Sequence, residues 1–431
     1  MARLSPPKEV LEIAAKLREN GFETWCVGGA VRDALLGYSH LDWDLATSAT
    51  PPEVMRLFRR TVPVGIAFGT VGVLDRTGRM HEVTTFRHDV KTDGRHAEVQ
   101  FGASLEEDLA RRDFTINAIA YDPDTGELRD PFRGRRDLEL RLIRAVGDAE
   151  QRMREDRLRA LRALRFAARF GFEIDDATWK AICNSAPHLG RLSAERVKQE
   201  LEKTMEQVAR PSVAFERWRA SGALGALVSP LHEAPGERFS AVDFLPMPGL
   251  AGRPQRRLLR LSMLFYGDPR RAAEEALRAL KFSNAESSWI VRLADARARL
   301  GAAVDAAMLR ADGVTDAELR RWAADVGRTA VASFWRLNAA LWSARRLAGE
   351  IAPAASSVCS AHRRLVRIAY RDPIEIGDLH VDGEDLVAAG IPKGPALGAT
   401  LRKLLEAVIE DPTLNQRALL LALAGELQVK P

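Results

Sequence analysis

The spacing of the apolar residues changes near residue 104, and this change restricts the chain to one fold class. Before it, short apolar runs alternate with glycine turns and short helices. After it, apolar residues recur almost to the end with the three- and four-residue spacing of amphipathic helices. A small head of strands and helices followed by a helical remainder is an α+β arrangement. At 431 residues the chain exceeds what one hydrophobic core usually supports, so we expect two to four domains.

The head is predicted to start with helix, strand, glycine turn and helix. Residues 6–20 are amphipathic, ETWCVG (23–28) predicts a strand, and AVRDALLG (30–37) has the length of a short helix. Further predictions are a strand at DWDLAT (42–47), a helix after SATPPEV (48–54), two strands within 67–87 and a loop at 88–102. A segment rich in Pro and Gly, 229–256, predicts another loop and a candidate domain boundary.

The composition excludes several classes of protein. Hydrophobic residues make up 46% and charged residues 29%, which is typical of a folded globular protein and not of a disordered one. The cysteines Cys26, Cys183 and Cys359 are far apart and have neither CxxC nor paired Cys/His spacing, which indicates a reducing compartment and no zinc site. No run of eighteen apolar residues occurs and the N-terminus is amphipathic, so we expect a cytoplasmic protein with no membrane contact.

Positive charge is concentrated in one segment. Residues 129–169 hold 13 arginines against 7 acids, a surplus of 6, which exceeds the net charge of +5 for the whole chain. A solvated helix surface laced with salt bridges is the ordinary interpretation of such a run. Clustered guanidinium groups also suit phosphates and nucleic acid, because they bind phosphate oxygens bidentately.

Two acids interrupt a short apolar run. Asp42 and Asp44, in DWDLAT, would project from the same side of a strand about 7 Å apart. Two carboxylates on one face could hold Mg²⁺, and two such ions can activate a hydroxyl and stabilise a leaving pyrophosphate in phosphoryl transfer. Glu82 could be a third acid, although a surface salt bridge explains it equally well. A pair of Asp residues beside a turn, with no catalytic role, is the alternative.

The preceding segment GGAVRD supports the phosphate interpretation. Gly28 and Gly29 would let the backbone approach a phosphate, and the helix after them would present free N–H groups. Arg32 could clamp the same phosphates.

Six segments together resemble one family. They are GGAVRDALLG (28–37), LDWDLATSATPPEV (41–54), RRDFTINAIAYD (111–122), DPFRGRRDLELRLIRAVGD (130–148), EDRLRALRALRFAARFGF (155–172) and LSAERVKQELEKTM (192–205). In this order they resemble the class II tRNA nucleotidyltransferases and bacterial poly(A) polymerases of the polymerase-beta-like nucleotidyltransferase superfamily. The resemblance implies a nucleotidyltransferase head with a mixed sheet at 1–145, then an elongated all-α remainder: a neck at 146–205, a body at 206–300 and a tRNA-binding tail at 301–431.

The resemblance also implies roles for individual residues. Asp42 and Asp44 would hold two Mg²⁺ ions for catalysis, with Glu82 as a possible third acid. The residues that would bind the nucleotide in the head are Gly28, Gly29, Arg32, Arg112, Asp113 and Asn117. An ion pair at a helix start is the alternative interpretation of Arg112 and Asp113.

The segment EDRLR is expected to read the base. Asp156 and Arg159 are three residues apart, so in one helix they would present a carboxylate acceptor and a guanidinium donor side by side. The resemblance implies that they choose CTP or ATP without a nucleic-acid template, and Arg162 and Arg165 would continue the stripe toward phosphates or bases. An intrahelical salt bridge between Asp156 and Arg159 is the alternative.

The resemblance implies an activity and its partners. The expected reaction adds CCA to the 3′ end of tRNA from CTP and ATP. VPVGIAFGTVGVL (62–74) resembles the tRNA enzymes more than the poly(A) polymerases, and the segment 86–101 supplies the flexible loop that favours addition of A. Lys393, Arg402 and Lys403, in a stretch similar to the family's tail, could grip the tRNA backbone or simply lie on an exposed face.

Other functions stay open at this point. An A-adding partner of a separate CC-adding protein and a poly(A) polymerase share these motifs. A catalytically silent RNA-binding module would use the arginine-rich segment alone, but it has no use for the acid pair. The His88-Asp89 pair is typical of metal phosphohydrolases, but that chemistry needs further His and Asp ligands, and the helical region RLLRLSMLFYGDPRR (257–271) has no His.

Overall fold

A computed structural model describes residues 4–39, 42–92, 97–248 and 254–429. The strands are β1 (Thr24–Val27), β2 (Asp44–Thr47), β3 (Thr61–Gly65), β4 (Thr70–Leu74), β5 (Met80–Thr85), β6 (Arg87–Thr92), β7 (Ala97–Phe101), β8 (Ala120–Tyr121), β9 (Leu128–Arg129), β10 (Leu142–Ile143) and β11 (Glu173–Ile174). Seven of these form one mixed sheet in the order β3-β4-β5-β2-β1-β8-β9. Strand β2 runs parallel to β5, and the other neighbours in this sheet are antiparallel. The mixed sheet of the head and the α+β class are therefore confirmed.

The helices up to residue 232 are α1 (Lys8–Glu19), α2 (Gly29–Leu35), α3 (Pro51–Leu57), α4 (Leu105–Ala110), α5 (Gly134–Glu139), α6 (Ala149–Glu155), α7 (Leu158–Phe170), α8 (Asp176–Ser185), α9 (Ala194–Gln207), α10 (Pro211–Ala220), α11 (Ala223–Leu227) and α12 (Ser229–His232). The later helices are α13 (Gly236–Val242), α14 (Pro254–Leu264), α15 (Arg270–Ala279), α16 (Asn284–Leu309), α17 (Asp316–Val326), α18 (Val331–Leu347), α19 (Ala355–Arg371), α20 (Gly383–Ala388), α21 (Pro395–Glu410) and α22 (Arg417–Val429). Short 3₁₀ turns occur at Ile66–Phe68, Thr115–Asn117, Ala186–Arg191, Ile376–Asp378 and Pro412–Leu414.

Local sequence explains the start of α3. Thr50 and Glu53 form a reciprocal capping box, and prolines occupy the first turn, where a missing N–H costs nothing. The turn before α2 uses Gly28 at φ +76°, a conformation that other residues rarely adopt. The strand, glycine turn and helix predicted for 23–37 are thus confirmed.

Two predicted loops contain regular structure. The segment 88–102 was expected to be a loop, but β6 and β7 pair there as an antiparallel ribbon; residues 93–96 of this segment lie outside the described residues. The first strand, RHDVKT, is mostly polar and shows no alternation, whereas AEVQF alternates apolar and polar residues and could have indicated the second strand. The segment 229–256 contains α12, α13 and the start of α14, so the loop prediction was wrong for these residues; residues 249–253 lie outside the described residues. The short strands β8 to β11 interrupt the region that was predicted to be helical. They were missed because a two-residue strand is too short to show an alternating pattern.

The chain divides into two compact units. The first comprises Met1–Thr204 with Val213–His232, and the second comprises Met205–Ser212 with Glu233–Pro431. The break at 232/233 falls inside the segment 229–256 that the sequence marked as a candidate boundary. The finer division into head, neck, body and tail stays a prediction.

Each unit has its own apolar core. In the first, one cluster of buried side chains joins β1 and β2 to α4 and includes Trp25, Val27, Phe86 and Leu109. In the second, one cluster brings the C-terminal helices together around Leu386, Leu404 and Leu420. In the described part of the chain, no helix is long and apolar enough to cross a membrane.

Candidate active site

Strand β2 brings the first candidate acid to the edge of a cavity. Asp44 begins β2 opposite Val27, the last residue of β1. Burial raises the pKa of Asp44 to about 7; the charges of Glu82 and Asp42 raise it further, and that of Arg112 opposes them. The carboxyl group of Asp44 therefore lies among other acids, and nearby positive charge compensates its negative charge only partly.

Asp42 lies outside the strand that was predicted for DWDLAT. Strand β2 begins only at Asp44, since its partner β1 ends at Val27. The side chain of Asp42 is 93% exposed and forms an ion pair with Arg79 at 2.6 Å. The expectation that both carboxylates leave the same strand was wrong, but a cavity of about 330 Å³ still brings Asp42, Asp44, Glu82 and Arg79 together.

These acids fit a hard divalent cation in their chemistry. In the described part of the chain, no group of three or more His, Cys, Asp or Glu side chains is arranged as a ready-made metal cage. The carboxylates of Asp42 and Asp44 nevertheless offer the oxygen ligands that such a cation prefers. The cation would supply the positive charge that compensates Asp44. For Asp42 to bind the same cation, its ion pair with Arg79 would have to open.

A guanidinium group faces the glycine turn. A side chain at Gly28 would meet Arg112 Nη1 at 3.0 Å, so the glycine leaves space beside this cation. Arg112 Nη2 donates to Asp108 at 3.1 Å, but its buried Nε has no hydrogen-bond partner. Burial would raise the pKa of Asp108, but the charges of Arg112 and Arg111 hold it below its ordinary value. Arg112 is thus a fixed cation with spare donor capacity beside an open turn.

Arg32 is buried and fully occupied by its neighbours. Its Nε donates to Asp33 Oδ1 at 2.7 Å and its Nη1 donates to Asn117 Oδ1 at 2.5 Å. Its guanidinium carbon lies 5.0 Å from the ring centre of Phe166 and 4.7 Å from that of Phe170, both on α7. Arg32 therefore connects α2 of the head to α7.

Asp113 extends this network. Its carboxylate accepts hydrogen bonds from Asn117 Nδ2 at 2.8 Å, from the Phe114 N–H at 2.9 Å and from Arg162 Nε at 2.8 Å. Burial would raise the pKa of Asp113, but the charge of Arg162 and these hydrogen bonds hold it at about 2. Asp113 stays ionised near neutral pH and fixes Asn117 against α7.

Asp156 and Arg159 do not share one continuous helix. Helix α6 ends at Glu155 and α7 begins at Leu158, with Asp156 in an extended conformation between them. Asp156 Oδ1 accepts from the Leu158 N–H at 3.1 Å, and Oδ2 accepts from Arg196 Nη2 at 2.8 Å. Arg159 instead pairs with Glu155 at 2.9 Å. The helix breaks because an Asp before a helix caps its free N–H groups, so the continuous helix was a wrong prediction and the Asp156–Arg159 salt bridge does not form.

Arg165 points into the interior. Its Nε donates to Glu200 Oε2 on α9 at 2.7 Å, and the two side chains are 3% and 1% exposed. Its guanidinium also lies over the ring of Phe166, at 4.4 Å. As placed, Arg165 stabilises the contact between α7 and α9.

Several residues that bind the predicted site residues were not identified from the sequence. Asp33, Asp108, Glu200 and Arg196 bind the predicted residues but were not singled out. The spacing of Asp108 to Arg111 and Arg112, three and four residues, could have identified that cluster. The pairs Arg169–Asp33 and Arg165–Glu200 are separated by 136 and 35 residues, so no local pattern marks them.

Part of the arginine-rich segment 129–169 is a surface laced with salt bridges, and part of it keeps arginines that pair with no carboxylate. Ion pairs with carboxylates are made by Arg129, Arg144, Arg152, Arg159, Arg162, Arg165 and Arg169. Among the described residues, Arg154 and Arg157 of this segment, and Arg191 outside it, pair with no carboxylate. Burial lowers the pKa of Arg157, and the charges of Arg191 and Arg154 lower it further, so these three cations lie near one another beside Asp156.

The predicted tail residues are on the surface of the second unit. Lys393 lies just before α21, and Arg402 and Lys403 lie on it. All three are exposed, and within the described chain none makes a salt bridge.

Comparisons with known proteins agree on one group of relatives. Residues 24–144 match a family model described as "Poly A polymerase head domain", and residues 171–234 match "Probable RNA and SrmB- binding site of polymerase A". A CCA-adding enzyme of Geobacillus kaustophilus is 38% identical over 428 residues, which cover 96% of each chain. One of Limosilactobacillus fermentum is 35% identical and covers 99% of this chain and 98% of its own. The crystal structure of the Bacillus stearothermophilus CCA-adding enzyme in complex with CTP matches with a TM-score of 0.75 and 34% identity, covering 99% of this chain and 98% of that one.

Proposed function

The chain belongs to the family of CCA-adding enzymes, and from this we propose that it adds C, C and A to the 3′ end of tRNA, using CTP and ATP and no nucleic-acid template. In each step the terminal hydroxyl of the tRNA attacks the α-phosphate, an O–P bond forms, and the bond to pyrophosphate breaks. The observation that carries the proposal is relatedness over nearly the whole chain. A cytoplasmic location, where tRNA is available, is part of the proposal.

Asp42 and Asp44 are proposed as the catalytic acids. Nucleotidyltransferases generally use divalent metal ions, and Mg²⁺ held by these carboxylates would activate the attacking hydroxyl and stabilise the leaving pyrophosphate. The incomplete charge compensation of Asp44 supports this assignment. Glu82 adds negative charge to the same cavity and is the proposed third acid.

The nucleotide is proposed to bind at the glycine turn. Arg112 would contact the triphosphate through Nη1, which faces the space that Gly28 leaves open, and Gly29 leaves space beside Arg32. Arg32 is already occupied, so its proposed contribution is to hold Asn117 and, through it, Asp113 in place for the ribose. In this assignment Arg112, which has a donor without a partner, contacts the nucleotide. Arg32, whose donors bind Asp33 and Asn117, holds its neighbours in place.

Asp156 and Arg159 are proposed to read the base. A carboxylate accepts from the exocyclic amino group of cytosine or adenine, and a guanidinium donates to the adjacent ring nitrogen or carbonyl. Both residues now have protein partners, Arg196 and Glu155, and these pairs would open when the base arrives. Arg162, one turn farther along α7, forms an ion pair with Asp113 and is proposed to support the two base-reading residues.

The tRNA is proposed to contact cations in both units. Arg154, Arg157 and Arg191 form an uncompensated cluster beside Asp156, which suits the phosphates of the 3′ end. Lys393, Arg402 and Lys403 would contact the backbone farther from the 3′ end. Such contacts recognise the shape of an RNA helix more than its sequence.

One incorporation assay tests the activity. Three tRNA transcripts, ending before CCA, after C and after CC, are incubated with CTP, ATP or both, and the 3′ ends are sequenced. We expect the first transcript to gain CCA and to stop. Addition of A to the CC-ended transcript alone, or unlimited addition of A, would contradict full CCA addition and indicate an A-adding enzyme or a poly(A) polymerase. Absence of any incorporation would leave RNA binding as the only supported activity.

A further inference from the structure

The second unit contains a polar cavity of about 770 Å³, bounded by α15, α16 and the end of α17. Sites that hold small ligands usually measure about 300 to 1,000 Å³. Among the described residues, five cations and three acids line the cavity, together with two serines and an asparagine. All of them belong to the second unit, and none is a residue of the candidate active site. The cavity is therefore a separate feature of the chain.

The acids in this cavity are already paired with cations. Arg270 binds Glu274 at 3.0 Å. Arg299 binds Asp295 at 3.0 Å and Asp325 at 2.7 Å. Since five cations face three acids, the described lining has a surplus of two positive charges.

The other three cations are called here the cavity cations: Arg278, Lys281 and Arg292. All three are exposed, and within the described chain none makes a salt bridge with a carboxylate. Arg278 is in the last turn of α15, Lys281 follows that helix, and Arg292 lies on α16. A concave site lined by uncompensated charge of one sign concentrates ions of the opposite sign.

The guanidinium group of Arg292 is held in position. Its Nε donates to the carbonyl oxygen of Val326, the last residue of α17, at 2.8 Å. A Cβ at Gly327 would collide with Arg292 Nη2, so the glycine makes room for this group. No other hydrogen bond of the guanidinium occurs among the described residues. Both Nη groups of a fixed cation thus remain available to a ligand.

Lys281 has a backbone conformation that favours glycine. Its φ is +58°, in the left-handed region. Its N–H donates to the carbonyl of Arg278 at 3.0 Å, and the N–H of Phe282 donates to that of Leu277 at 3.1 Å. Helices that end with this pair of hydrogen bonds usually have glycine at the left-handed position, because a side chain there is strained. The chain has a cation where glycine would be more stable, and such strain is found mainly at functional positions.

We propose that this cavity is a binding site for a small anion with two or more linked phosphate groups, such as pyrophosphate or the triphosphate of a nucleotide. Arg292 would bind phosphate oxygens through its two Nη groups, as the guanidinium fork allows. Arg278 and Lys281 would compensate the remaining charge. Ser287 and Ser288 on α16 supply further donors in the lining. The inference goes beyond the proposed function and does not depend on it, because it follows from the second unit alone.

The test is the binding of inorganic pyrophosphate to the full chain, measured by isothermal titration calorimetry at about 150 mM KCl. EDTA is present, so that no metal ion contributes. Arg112→Gln is the reference protein throughout, because it removes the cation that is proposed to bind the triphosphate in the first unit. The double variant Arg278→Gln, Arg292→Gln is made in this reference.

The matched control is Arg271→Gln, Arg310→Gln in the same reference. It also removes two exposed positive charges from the second unit. Each of these arginines, however, is paired with a carboxylate, and neither lines the cavity.

We expect the reference protein to bind one pyrophosphate per chain. The double variant should bind it at least about tenfold more weakly, because a hydrogen bond to a charged group contributes about this factor or more. The control should bind like the reference. Unchanged affinity in the double variant, or an equal loss in the control, would overturn the proposal. Equal affinity for orthophosphate and pyrophosphate would also overturn it, because a site for linked phosphates has to favour the larger anion.

CTP and ATP, used as further probes, identify the source of the phosphates. Similar affinities for CTP, ATP and pyrophosphate, all lost in the double variant, would support the site with pyrophosphate as its ligand. Tighter binding of the nucleotides, again lost in the double variant, would support the site with a nucleotide as its ligand. If a tRNA transcript displaces pyrophosphate from the reference and the double variant loses affinity for tRNA to the same extent, the cavity is part of an RNA surface and the proposal is overturned.

Lys281→Gly separates a binding role from a structural one. The substitution should raise the midpoint of thermal unfolding in the absence of anions, because glycine adopts the left-handed conformation without strain. It should also weaken pyrophosphate binding, because it removes a cavity cation. A stabilised variant that binds pyrophosphate like the reference would contradict the proposal. This variant also carries the test if the double variant proves unstable. None of these measurements follows nucleotide addition, so failure of the anion site and failure of the proposed activity are distinguishable.

Discussion

Asp156→Asn is the sharpest test of base reading, because the substitution keeps the shape and the helix cap of Asp156 and removes only its charge. Asn caps helices as well as Asp does, so the acceptor for the Leu158 N–H is retained. The lost ion pair with Arg196 joins side chains that are 30% and 35% exposed, so its contribution is about 0 to 1 kcal/mol. The variant should therefore fold like the parent.

The effect on nucleotide choice should be larger than the effect on stability. A carboxylate accepts hydrogen bonds only, whereas an amide can also donate to the carbonyl that uracil presents in place of the amino group of cytosine. A well-placed pair of hydrogen bonds to a base discriminates by about 1 to 3 kcal/mol. We therefore expect the ratio of kcat/KM for CTP over UTP to fall by about 5- to 150-fold.

The assay is single-nucleotide incorporation into a transcript that lacks CCA, with CTP or UTP as the substrate. Arg196→Gln is the control, because it breaks the same ion pair and leaves the carboxylate in place. Its discrimination should stay near that of the parent. A ratio for Asp156→Asn within twofold of the parent, or an equal loss in both variants, would refute direct reading of the base by Asp156.

Three further predictions concern the proposed catalytic acid Asp42 and the contacts of Arg165 and Asp113. Asp42→Ala should abolish incorporation while tRNA binding by anisotropy remains near the parent value; incorporation at the parent rate would remove Asp42 from the metal assignment. Glu200→Gln should lower the free energy of unfolding by about 3 to 5 kcal/mol, because it removes the carboxylate charge that compensates the buried guanidinium of Arg165, and urea titration measures this; a loss under about 1 kcal/mol would mean that the charge of Arg165 does not depend on this pair. The pKa of Asp113 in the folded protein, about 2, is below its ordinary value, so its ionised form stabilises the fold above about pH 4 and this contribution is lost as the pH falls toward 2. Asp113→Asn should thus be less stable than the parent by about 2 to 3 kcal/mol at pH 7, with the difference shrinking below pH 4 in urea titrations; a difference that does not depend on pH would contradict the assignment.

The predictions that held are those that depend on local pattern. The strand, turn and helix around Gly28 follow from apolar runs ended by glycine, and the capped start of α3 follows from Thr50, Glu53 and two prolines. The β6–β7 ribbon was missed because RHDVKT is mostly polar and shows no strand period, although the alternation in AEVQF was available. The break before α7 was missed because the apolar spacing continues through it, whereas the cap at Asp156 depends on one hydrogen bond.

The partners of the predicted site residues could not be obtained from the sequence. Arg165 was expected to face a nucleotide because it continues a stripe of arginines, but Glu200, on another helix, turns it inward. Arg32 is likewise occupied by Asp33 and Asn117. A one-dimensional pattern identifies which cations are grouped, whereas the carboxylates that neutralise them come from distant parts of the chain.

The structure links the proposed phosphate site to the proposed base reader through a short series of contacts within the first unit. Arg159 Nη2 donates to the backbone carbonyl of Arg111, the residue beside Arg112, at 3.0 Å. One turn later on α7, Arg162 holds Asp113, the residue that follows Arg112. The backbone that carries Arg112 is therefore bound on both sides by the helix that carries Arg159. A protein that selects nucleotides without a nucleic-acid template has to keep its base reader at a fixed distance from the α-phosphate, since a misplaced base would lose both selection and alignment for attack. Arg159 and Arg162 meet this requirement by fixing α7 to the segment that is proposed to contact the nucleotide.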